Sequence, residues 1–470
     1  MKEVKLKIKG FTCLWTEYPE LNKEIQRLLT IPQKTYTNVY IRQHYTKKGF
    51  KLGLVDFLNQ NLQNFTLEGE PCHLYYDLPN EVKDLSDDII QEMSLRDYQI
   101  DAVREVYKHK GLCIVQSPTG SGKTHIAVAL AKICPLPLLF LVPNKTLLIQ
   151  SYNYFKKYGF RVTMYFGEAK DLSGEIVIMT SQSLVRPSKV LEDNKGRWQT
   201  IIADECHHFT KKGYTTLIRY PTKIRIGLSA TPISTEWQLY DKVRLYSIFG
   251  PIAWEGKSNK EVLQNIIKPE VFVIDTNYDN AKIYDVLKAL DQKDFIELKR
   301  HALVRNNKRN LKILAYAEMA RVKKLKVFIM VSWTQHLDQL KEINAKYNII
   351  DDDKIVYLTG DTDIYTRNKT FKGLETEEDP FVICGTIGNE GVDIKSLDLV
   401  ILADVGKSYI KIIQSIGRAT RTALNKAKAY VIDFRDSMFI RHFNKRKKIY
   451  KDEGFTVLSE KDFVKKIFEI

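Results

Sequence analysis

The stretch GLCIVQSPTGSGKTHIAVALA, residues 111–131, decides the fold of this chain. An apolar, strand-like run leads into the glycine-rich loop SPTGSGKT, and an apolar-periodic helical segment follows it. Glycine suits such a loop because backbone N–H groups must wrap phosphate oxygens without a Cβ in the way. The helix adds oriented donors and a partial positive charge at its N-terminus. Strand, loop and helix in this order predict a phosphate-binding loop rather than a chance glycine-rich turn.

This loop supplies the first candidate side chains for a nucleotide. Lys123 is expected to reach the β- and γ-phosphates, and Thr124 carries a hydroxyl suited to Mg²⁺. The first position of the loop is serine, where the strict pattern has glycine. The loop residues predicted to hold the nucleotide are Ser117, Thr119, Gly120, Ser121, Gly122, Lys123 and Thr124.

A second segment, TIIADECHH (residues 200–208), places two carboxylates after an apolar strand. Ligands of open α/β sheets bind at the carboxyl ends of the strands. Asp204 is therefore predicted to hold Mg²⁺ through water, and Glu205 to orient or deprotonate the attacking water. Without the upstream loop, the pair would indicate only a solvated turn. No structural zinc is expected at His207 and His208, because no second ligand pair follows at zinc spacing.

Two further segments are weaker when taken alone. IGLSATP (residues 226–232) is a strand that ends in small residues and a proline. QSIGRATRT (residues 414–422) places Arg418 and Arg421 three positions apart, on one face of a helix. An arginine supplied across a cleft accelerates phosphoryl transfer by about 10³ to 10⁵. Without the phosphate loop and the acidic pair, residues 226–232 would indicate only a turn of small residues. Residues 414–422 would likewise indicate only a solvated basic helix.

Composition bounds the partners and the compartment. The 470-residue chain carries a net charge of +16, which favours polyanionic partners through Coulomb attraction and counterion release. The chain has six cysteines, and a disulfide framework is improbable in a chain of this length, which favours a reducing cytoplasm. The N-terminal MKEVKLKIKG has no apolar run of the kind a signal peptide needs, so a cytoplasmic protein without a membrane partner is expected.

Apolar strands alternate with helical patterns twice along the chain. The alternation predicts two successive α/β units with parallel sheets and helices on both faces. An acidic stretch from Glu68 to Glu92 marks a predicted boundary. Residues 1–88 are expected to form a small α+β accessory domain, residues 89–250 the first large domain and residues 251–470 the second.

In this order, the four segments resemble the signature of superfamily-2 helicases over residues 95–450. The resemblance implies two tandem RecA-like motor domains that use ATP and Mg²⁺. It also implies that these domains close on ATP, part after hydrolysis, and thereby step along a nucleic acid strand. Phosphate loop and DECH segment belong to the first domain, and the arginine fingers to the second. The accessory domain is expected to bind DNA.

The same resemblance assigns roles to residues outside the four segments. It implies that Gln99 reads adenine, that Gly391 and Asp393 face the ribose, and that Gln414 acts with the two arginines in catalysis. The residues expected to contact the nucleic acid backbone are Asn144, Lys145, Thr180, Gln182, Ser332, Trp333 and Thr386. The residues expected to couple hydrolysis to movement are His207, Ser229 and Thr231.

Within the superfamily, the DECH motif and residues 250–274 resemble the UvsW and XPB branch, and phage UvsW-like DNA helicases in particular. Such enzymes remodel forks, four-way junctions, displacement loops and RNA–DNA hybrids. The resemblance therefore implies a helicase or translocase for branched DNA, active in recombination, repair or replication restart within a host cytoplasm. DNA contacts would be largely independent of base sequence.

Three alternatives stay open at this point. The motor motifs do not separate DNA from RNA, so an RNA helicase has the same signature. A nucleic-acid-stimulated ATPase that remodels complexes without separating strands also fits. A motor subunit of a restriction system fits as well, but the nuclease would then have to lie in another chain.

The arginine-finger assignment makes a kinetic prediction. Arg421→Ala is expected to lower ATP turnover by about 10³ or more, while the affinity for ATP changes little, because the guanidinium acts on charge that develops in the transition state. Steady-state kinetics with a separate nucleotide-binding titration measure both quantities. Equal losses in turnover and affinity would indicate a ground-state binding role instead.

Overall fold

Two α/β units organise the chain in the computed structural model, Met1–Leu263 and Gln264–Ile470. The structure describes fourteen segments of the chain. These are residues 1–9, 11–34, 39–118, 120–186, 188–210, 212–233, 239–256, 269–276, 297, 300–359, 362–376, 380–385, 397–404 and 429–469.

Small sheets and two helices make up the N-terminal part of the first unit. The strands are β1 (Lys2–Lys5), β2 (Ile8–Lys9), β3 (Thr12–Leu14), β4 (Thr30–Lys34), β5 (Val39–Gln43), β6 (Tyr45–Thr46), β7 (Gly49–Lys51), β8 (Thr66–Leu67) and β9 (Glu70–Tyr75). The helices are α1 (Pro19–Leu28) and α2 (Val55–Asn61). They form sheets ordered β1-β9-β8, β2-β3-β7-β6 and β4-β5. Apolar side chains from this part and from the following sheet belong to one hydrophobic cluster. The predicted domain boundary near residue 88 stays a prediction.

An eight-stranded sheet forms the centre of the first unit. Its strands are β10 (Leu112–Gln116), β11 (Leu138–Val142), β12 (Val162–Phe166), β13 (Ala169–Lys170), β14 (Ile176–Thr180), β15 (Thr200–Asp204), β16 (Ile224–Ser229) and β17 (Ile252–Glu255). The order is β13-β12-β14-β11-β15-β16-β10-β17, and every pair is parallel except β12 with β13. The central strands are buried along their whole length, as expected for a sheet covered on both faces.

Helices cover this sheet and connect its strands. They are α3 (Asp87–Met93), α4 (Asp97–Lys108), α5 (Lys123–Ile133), α6 (Lys145–Lys157), α7 (Ser181–Val185), α8 (Lys189–Asp193), α9 (Lys212–Leu217) and α10 (Leu239–Phe249). Helix α5, which follows the phosphate loop, is apolar on nearly all sides and almost entirely buried. A helix of that kind belongs in the core, so the start of α5 is held firmly at the sheet edge.

A buried arginine joins the N-terminal part to the sheet of the first unit. The Arg225 guanidinium of β16 lies 3.6 Å from the ring centroid of Phe11. It donates to the carbonyls of Thr222, at 2.8 Å, and Tyr220, at 2.6 Å. Burial lowers the pKa of Arg225 to about 9, and no carboxylate among the described residues pairs with it. The stacked ring and the two carbonyls therefore hold this cation.

A seven-stranded parallel sheet forms the second unit. Its strands are β18 (Glu270–Thr276), β19 (Val327–Met330), β20 (Ile355–Leu358), β21 (Val382–Gly385), β22 (Leu399–Leu402), β23 (Tyr430–Asp436) and β24 (Thr456–Ser459), in the order β20-β21-β19-β22-β23-β18-β24. Its helices are α11 (Asn307–Val322), α12 (Thr334–Tyr347), α13 (Ile364–Thr376), α14 (Ile440–Asp452) and α15 (Glu460–Glu469). Both predicted parallel-sheet units are therefore confirmed.

Short helical turns complete the described secondary structure. Turns of 3₁₀ helix span Leu52–Leu54, Cys206–Thr210, Asp352–Lys354 and Ser437–Phe439, and a π-helical turn spans Arg300–Val304. Among the described helices, none combines the length and the apolar character that crossing a bilayer requires.

A buried ion pair fixes α14 to the second sheet. Arg446 Nε donates to Asp433 at 2.8 Å, and Arg446 Nη2 donates to the carbonyl of Phe434 at 2.9 Å. The Tyr450 hydroxyl donates to the same carboxylate at 2.8 Å. Both charged side chains are almost completely buried. Removing one of them leaves the other without compensation in a medium of low polarity.

This pair makes a prediction about stability. Arg446→Ala is expected to lower the free energy of unfolding of the second unit by about 3–5 kcal/mol, because Asp433 becomes an uncompensated buried charge. The matched control is Arg435→Ala, which breaks the half-exposed pair with Asp275 and is expected to cost about 1 kcal/mol or less. Urea unfolding followed by circular dichroism compares the two. Equal losses would contradict the assignment.

Candidate active site

The phosphate loop leaves the carboxyl end of β10 and is tied to the neighbouring strand. Ser117 N–H donates to the carbonyl of Ser229, at the end of β16, at 3.0 Å. The Ser121 hydroxyl donates to the carbonyl of Pro118 at 2.6 Å, so the hydroxyl of Ser117, 2.5 Å away, donates to that of Ser121. Serine at the first loop position is therefore used for a hydrogen bond inside the loop.

Two glycines give the loop its path. Gly120 and Gly122 have φ values of 87° and 82°, in the left-handed region that favours glycine. A Cβ on Gly122 would also lie 2.6 Å from the Gln99 amide nitrogen. The backbone angle therefore favours glycine at position 122, and any larger residue would also displace the Gln99 amide.

Residues of α4 support the loop from behind. Gln99 Nε2 and the Tyr98 hydroxyl both donate to the carbonyl of Ser121, at 3.1 and 2.8 Å. Gln99 Oε1 accepts from Arg96 N–H at 3.1 Å, which caps the start of α4. The amide of Gln99 is thus bonded at both ends, and it positions the loop. Its predicted contact with adenine stays a prediction.

Lys123 lies between the loop and the acidic pair. Its ammonium is 3.4 Å from the carbonyl of Ser117 and 3.7 Å from Glu205 Oε1. Both charged side chains are largely buried, with exposed fractions of 11% and 15%. A single cation therefore faces both the concavity of the phosphate loop and the carboxylates at the end of β15.

The two carboxylates differ in their electrostatic surroundings. Burial and the neighbouring Glu205 charge raise the pKa of Asp204 above its usual value. Burial also disfavours ionised Glu205, but the Lys123 charge, helped by the hydrogen bond from Ser229, outweighs that effect and lowers the pKa of Glu205. Glu205 has φ 48°, a left-handed conformation that is strained for a residue with a side chain. The strained turn aims a carboxylate that stays ionised at neutral pH.

A hydroxyl connects the acidic pair to the end of the next strand. Ser229 Oγ donates to Glu205 Oε2 at 3.1 Å and accepts from Thr231 N–H at 3.2 Å. It lies 3.0 Å from His207 Nδ1, which therefore carries the proton of this contact. Burial lowers the pKa of His207 to about 4, so the ring is neutral. The predicted coupling residues thus form one hydrogen-bonded group around Glu205.

The donor set at this edge fits a magnesium ion. Among the described residues, Asp204 accepts one hydrogen bond, from Glu205 N–H at 3.0 Å. Burial and the Glu205 charge raise its pKa, so a cation bound beside it would favour the ionised carboxylate. Carboxylate and hydroxyl oxygens are the hard ligands that Mg²⁺ prefers. Asp204 and the half-buried Thr124 therefore suit the predicted metal role.

The predicted nucleic acid contacts of the first unit lie at two adjacent strand ends. Asn144 follows β11 and caps α6 by accepting from Leu147 N–H at 3.0 Å, and the exposed Lys145 comes next. Thr180 ends β14, but its side chain is buried and caps α7. Gln182 is exposed. Asn144, Lys145 and Gln182 are thus open to solvent to some degree, whereas Thr180 has a structural role.

In the second unit, a buried chain of hydrogen bonds holds the segment that contains the predicted contacts Ser332 and Trp333. Ser332 N–H donates to Asp404 Oδ1 at 2.5 Å, while the Ser332 side chain is exposed. His336 Nδ1 lies 3.1 Å from Asp404 Oδ2, and His336 Nε2 lies 2.9 Å from Asn310 Oδ1. Trp333 is half-buried. These hydrogen bonds fix the loop after β19 at the carboxyl edge of the second sheet.

Several predicted site residues lie outside the described residues. They are Thr119, Thr386, Gly391, Asp393, Gln414, Arg418 and Arg421. Their roles stay predictions.

Sequence reasoning missed residues that position the site. Tyr98 supports the loop, and the only signal for it is its place beside Gln99. His125 follows the phosphate-loop threonine and lies 2.7 Å from both the Met93 carbonyl and the Tyr154 hydroxyl. It thereby joins the segment before α4 to α6, on which Lys145 lies. Nothing in its local pattern indicates this bridge.

Family comparisons identify both halves of the motor. Residues 92–234 match the family described as "Type III restriction enzyme, res subunit". Residues 308–423 match the family described as "Helicase conserved C-terminal domain". The first match contains the phosphate loop and the acidic pair, and the second contains the three predicted catalytic residues of the second unit.

Two curated relatives carry DNA motor names. The DNA 3'-5' translocase XPB2 of Sulfurisphaera tokodaii is 28% identical over 365 residues, covering 71% of this chain and 80% of that protein. The ATP-dependent DNA helicase uvsW of Enterobacteria phage T4 is 26% identical over 359 residues, covering 72% and 68%.

A solved structure shares the fold. Saccharomyces cerevisiae Dbp5, bound to RNA and ADP BeF3, superposes with a TM-score of 0.54 and 16% identity, covering 82% of this chain and 96% of that one. Two parallel-sheet units with the two family matches are tandem RecA-like domains. The chain belongs to the superfamily-2 helicases, as an ATP-driven DNA helicase of the UvsW and XPB type.

Proposed function

We propose that this enzyme uses ATP to migrate or unwind branched DNA, including forks, four-way junctions and RNA–DNA hybrids. The observation that carries the proposal is a path of one ion pair and two hydrogen bonds. The ion pair joins Lys123 to Glu205, and the hydrogen bonds join Glu205 to Ser229 and Ser229 to Thr231. This path connects the phosphate loop to the segment that follows β16, so a change at the phosphate can alter a neighbouring part of the same unit. The names of the UvsW and XPB relatives support DNA as the track.

The residues of the first unit divide the chemistry among them. Lys123 binds the β- and γ-phosphates, and the glycine-rich loop surrounds them with N–H donors. Glu205, kept ionised chiefly by the Lys123 charge, orients the attacking water and accepts its proton. Asp204 and Thr124 would hold Mg²⁺, which neutralises charge on the phosphate oxygens when it is bound. The phosphoryl group in transfer is further stabilised by three residues of the second unit, Gln414, Arg418 and Arg421.

Ser229 is the proposed coupling element. Its hydroxyl donates its single proton to Glu205, and it accepts from His207 and Thr231. The hydroxyl therefore has no free donor or acceptor site. A shift of Glu205 during hydrolysis must move Ser229 or break one of its other hydrogen bonds, to His207 or to Thr231. Thr231 lies just after the end of β16. We expect the segment that contains Thr231 to carry the conformational change away from the ATP site.

Branched DNA suits a motor of this kind energetically. Melting one base-pair step costs about 1.4 kcal/mol on average. In branch migration each broken pair is replaced by a new pair, so the net cost is close to zero. Contacts made mainly to phosphates allow such movement on any sequence. We place this work in recombination, repair or replication restart in a host cytoplasm, a setting supported by the T4 relative.

The proposal is tested by comparing substrates. ATP-dependent branch migration of four-way junctions and forks is expected, with weaker separation of plain DNA duplexes and none of RNA duplexes. Lys123→Ala is the control: it should abolish hydrolysis and movement, yet retain most DNA binding, because the phosphate loop does not hold the DNA. Gel assays with labelled strands and a filter-binding assay measure these outcomes.

Two results would favour other functions. Separation of RNA duplexes alone would indicate an RNA helicase. Hydrolysis stimulated by DNA without strand movement on any substrate would indicate an ATPase that remodels complexes.

A further inference from the structure

Helix α14 of the second unit presents a cationic surface that the motor motifs do not explain. The exposed cations Arg441, Lys445, Lys447, Lys448 and Lys451 are here termed the basic face. The sequence contains no acidic residue between Asp436 and Asp452, so the whole helix before its last residue lacks negative side chains. The basic face therefore concentrates positive charge on one element.

The opposite side of α14 is fully used in packing. Phe443, Arg446, Ile449 and Tyr450 are buried against the second sheet, and the Arg446–Asp433 pair fixes the rotation of the helix. The aromatic side chains Phe443 and Tyr450 are thus unable to stack on bases. The apolar side is equally unable to insert into a lipid surface, which requires an exposed apolar face.

Repulsion within the basic face indicates a polyanionic partner. Lys447 and Lys451 are spaced i,i+4, and Lys448 and Lys451 i,i+3, so like charges lie side by side along the helix. In the part of the chain that the structure describes, Arg441, Lys447, Lys448 and Lys451 form no ion pair with a carboxylate. An external anion of high charge density would relieve this repulsion.

The basic face begins at the edge that carries the predicted DNA contacts of the same unit. Helix α14 begins at Ile440, after the 3₁₀ turn Ser437–Phe439 that follows the carboxyl end of β23. Asp404, His442 and Arg446 line one small cavity there, and Asp404 accepts the N–H of Ser332. The first turn of α14 and the Ser332 segment therefore adjoin the same buried carboxylate.

We propose that the basic face of α14 is a phosphate-tracking surface that holds the DNA backbone beside the Ser332 segment. From Arg441 to Lys451 the helix rises about 15 Å, a length over which one DNA strand carries about four phosphates. Recognition is by backbone charge alone, so it is independent of base sequence and sensitive to salt. The inference rests on the proposed function, because it assumes DNA as the track.

The test is the salt dependence of DNA binding. The slope of log K against log salt concentration becomes shallower by about 0.9 for every lysine or arginine that no longer neutralises a phosphate. The triple variant R441Q/K448Q/K451Q is therefore expected to reduce the slope by about 2–3. The matched control K341Q/K346Q/K461Q removes three exposed lysines from other helices of the same unit, and its slope should stay close to that of the unaltered protein. Fluorescence anisotropy with a labelled duplex over a series of NaCl concentrations gives all three slopes.

Each outcome decides between the two proposals. If the unaltered protein binds DNA with a steep slope and the two triple variants behave alike, the basic face is not a DNA surface, but the proposed function stands. If the unaltered protein fails to bind DNA, the proposed function itself is wrong. A single reversal, K448E, keeps the test valid should the triple variant fold poorly: an unchanged DNA affinity would contradict the inference.

Discussion

The ion pair between Lys123 and Glu205, at the buried end of β15, is the interaction on which the rest of the site depends. Two carboxylates at one strand end would repel each other in a medium of low polarity, and burial raises the pKa of Asp204 accordingly. Lys123 lies 3.7 Å from Glu205 and keeps that carboxylate ionised. Under the proposed function the same ammonium also binds phosphate, so an incoming nucleotide competes with Glu205 for one cation. Ser229 holds Glu205 from the other side, which makes the carboxylate sensitive to what Lys123 does.

The interior of the fold was predictable because its strands are buried on both faces. Runs such as LLFLV (Leu138–Val142) and TIIAD (Thr200–Asp204) cannot be stable elsewhere, and they lie at the centre of the first sheet. The edge strands β17 and β24 were not predicted. Ile252–Glu255 and Thr456–Ser459 are short and largely uncovered, so no periodic apolar pattern marks them. They are strands because a neighbouring strand offers hydrogen bonds, which is a tertiary property.

The candidate site divides in the same way. Residues whose chemistry depends on type and spacing, such as Lys123 and the acidic pair, could be named from the sequence, and the structure gathers those of the first unit at one sheet edge. The residues that position these side chains from distant parts of the chain could not be predicted from the sequence. The contact of His125 with the Met93 carbonyl, and that of Asp404 with Ser332 N–H, join segments that have no common pattern. Nor does sequence show that Thr180 is buried as a helix cap.

The central claim is that Ser229 transmits a shift of Glu205 during ATP hydrolysis to the segment after β16. The number of ATP molecules hydrolysed per base pair moved measures this coupling directly. In Ser229→Ala, Glu205 loses a hydrogen-bond donor, but Lys123, Asp204 and the phosphate loop keep their places. The number of ATP molecules hydrolysed per base pair of branch migration is predicted to rise several-fold, with most DNA-stimulated hydrolysis retained. A parallel fall of hydrolysis and migration, at an unchanged ratio, would contradict the claim, because Ser229 would then serve the chemistry alone.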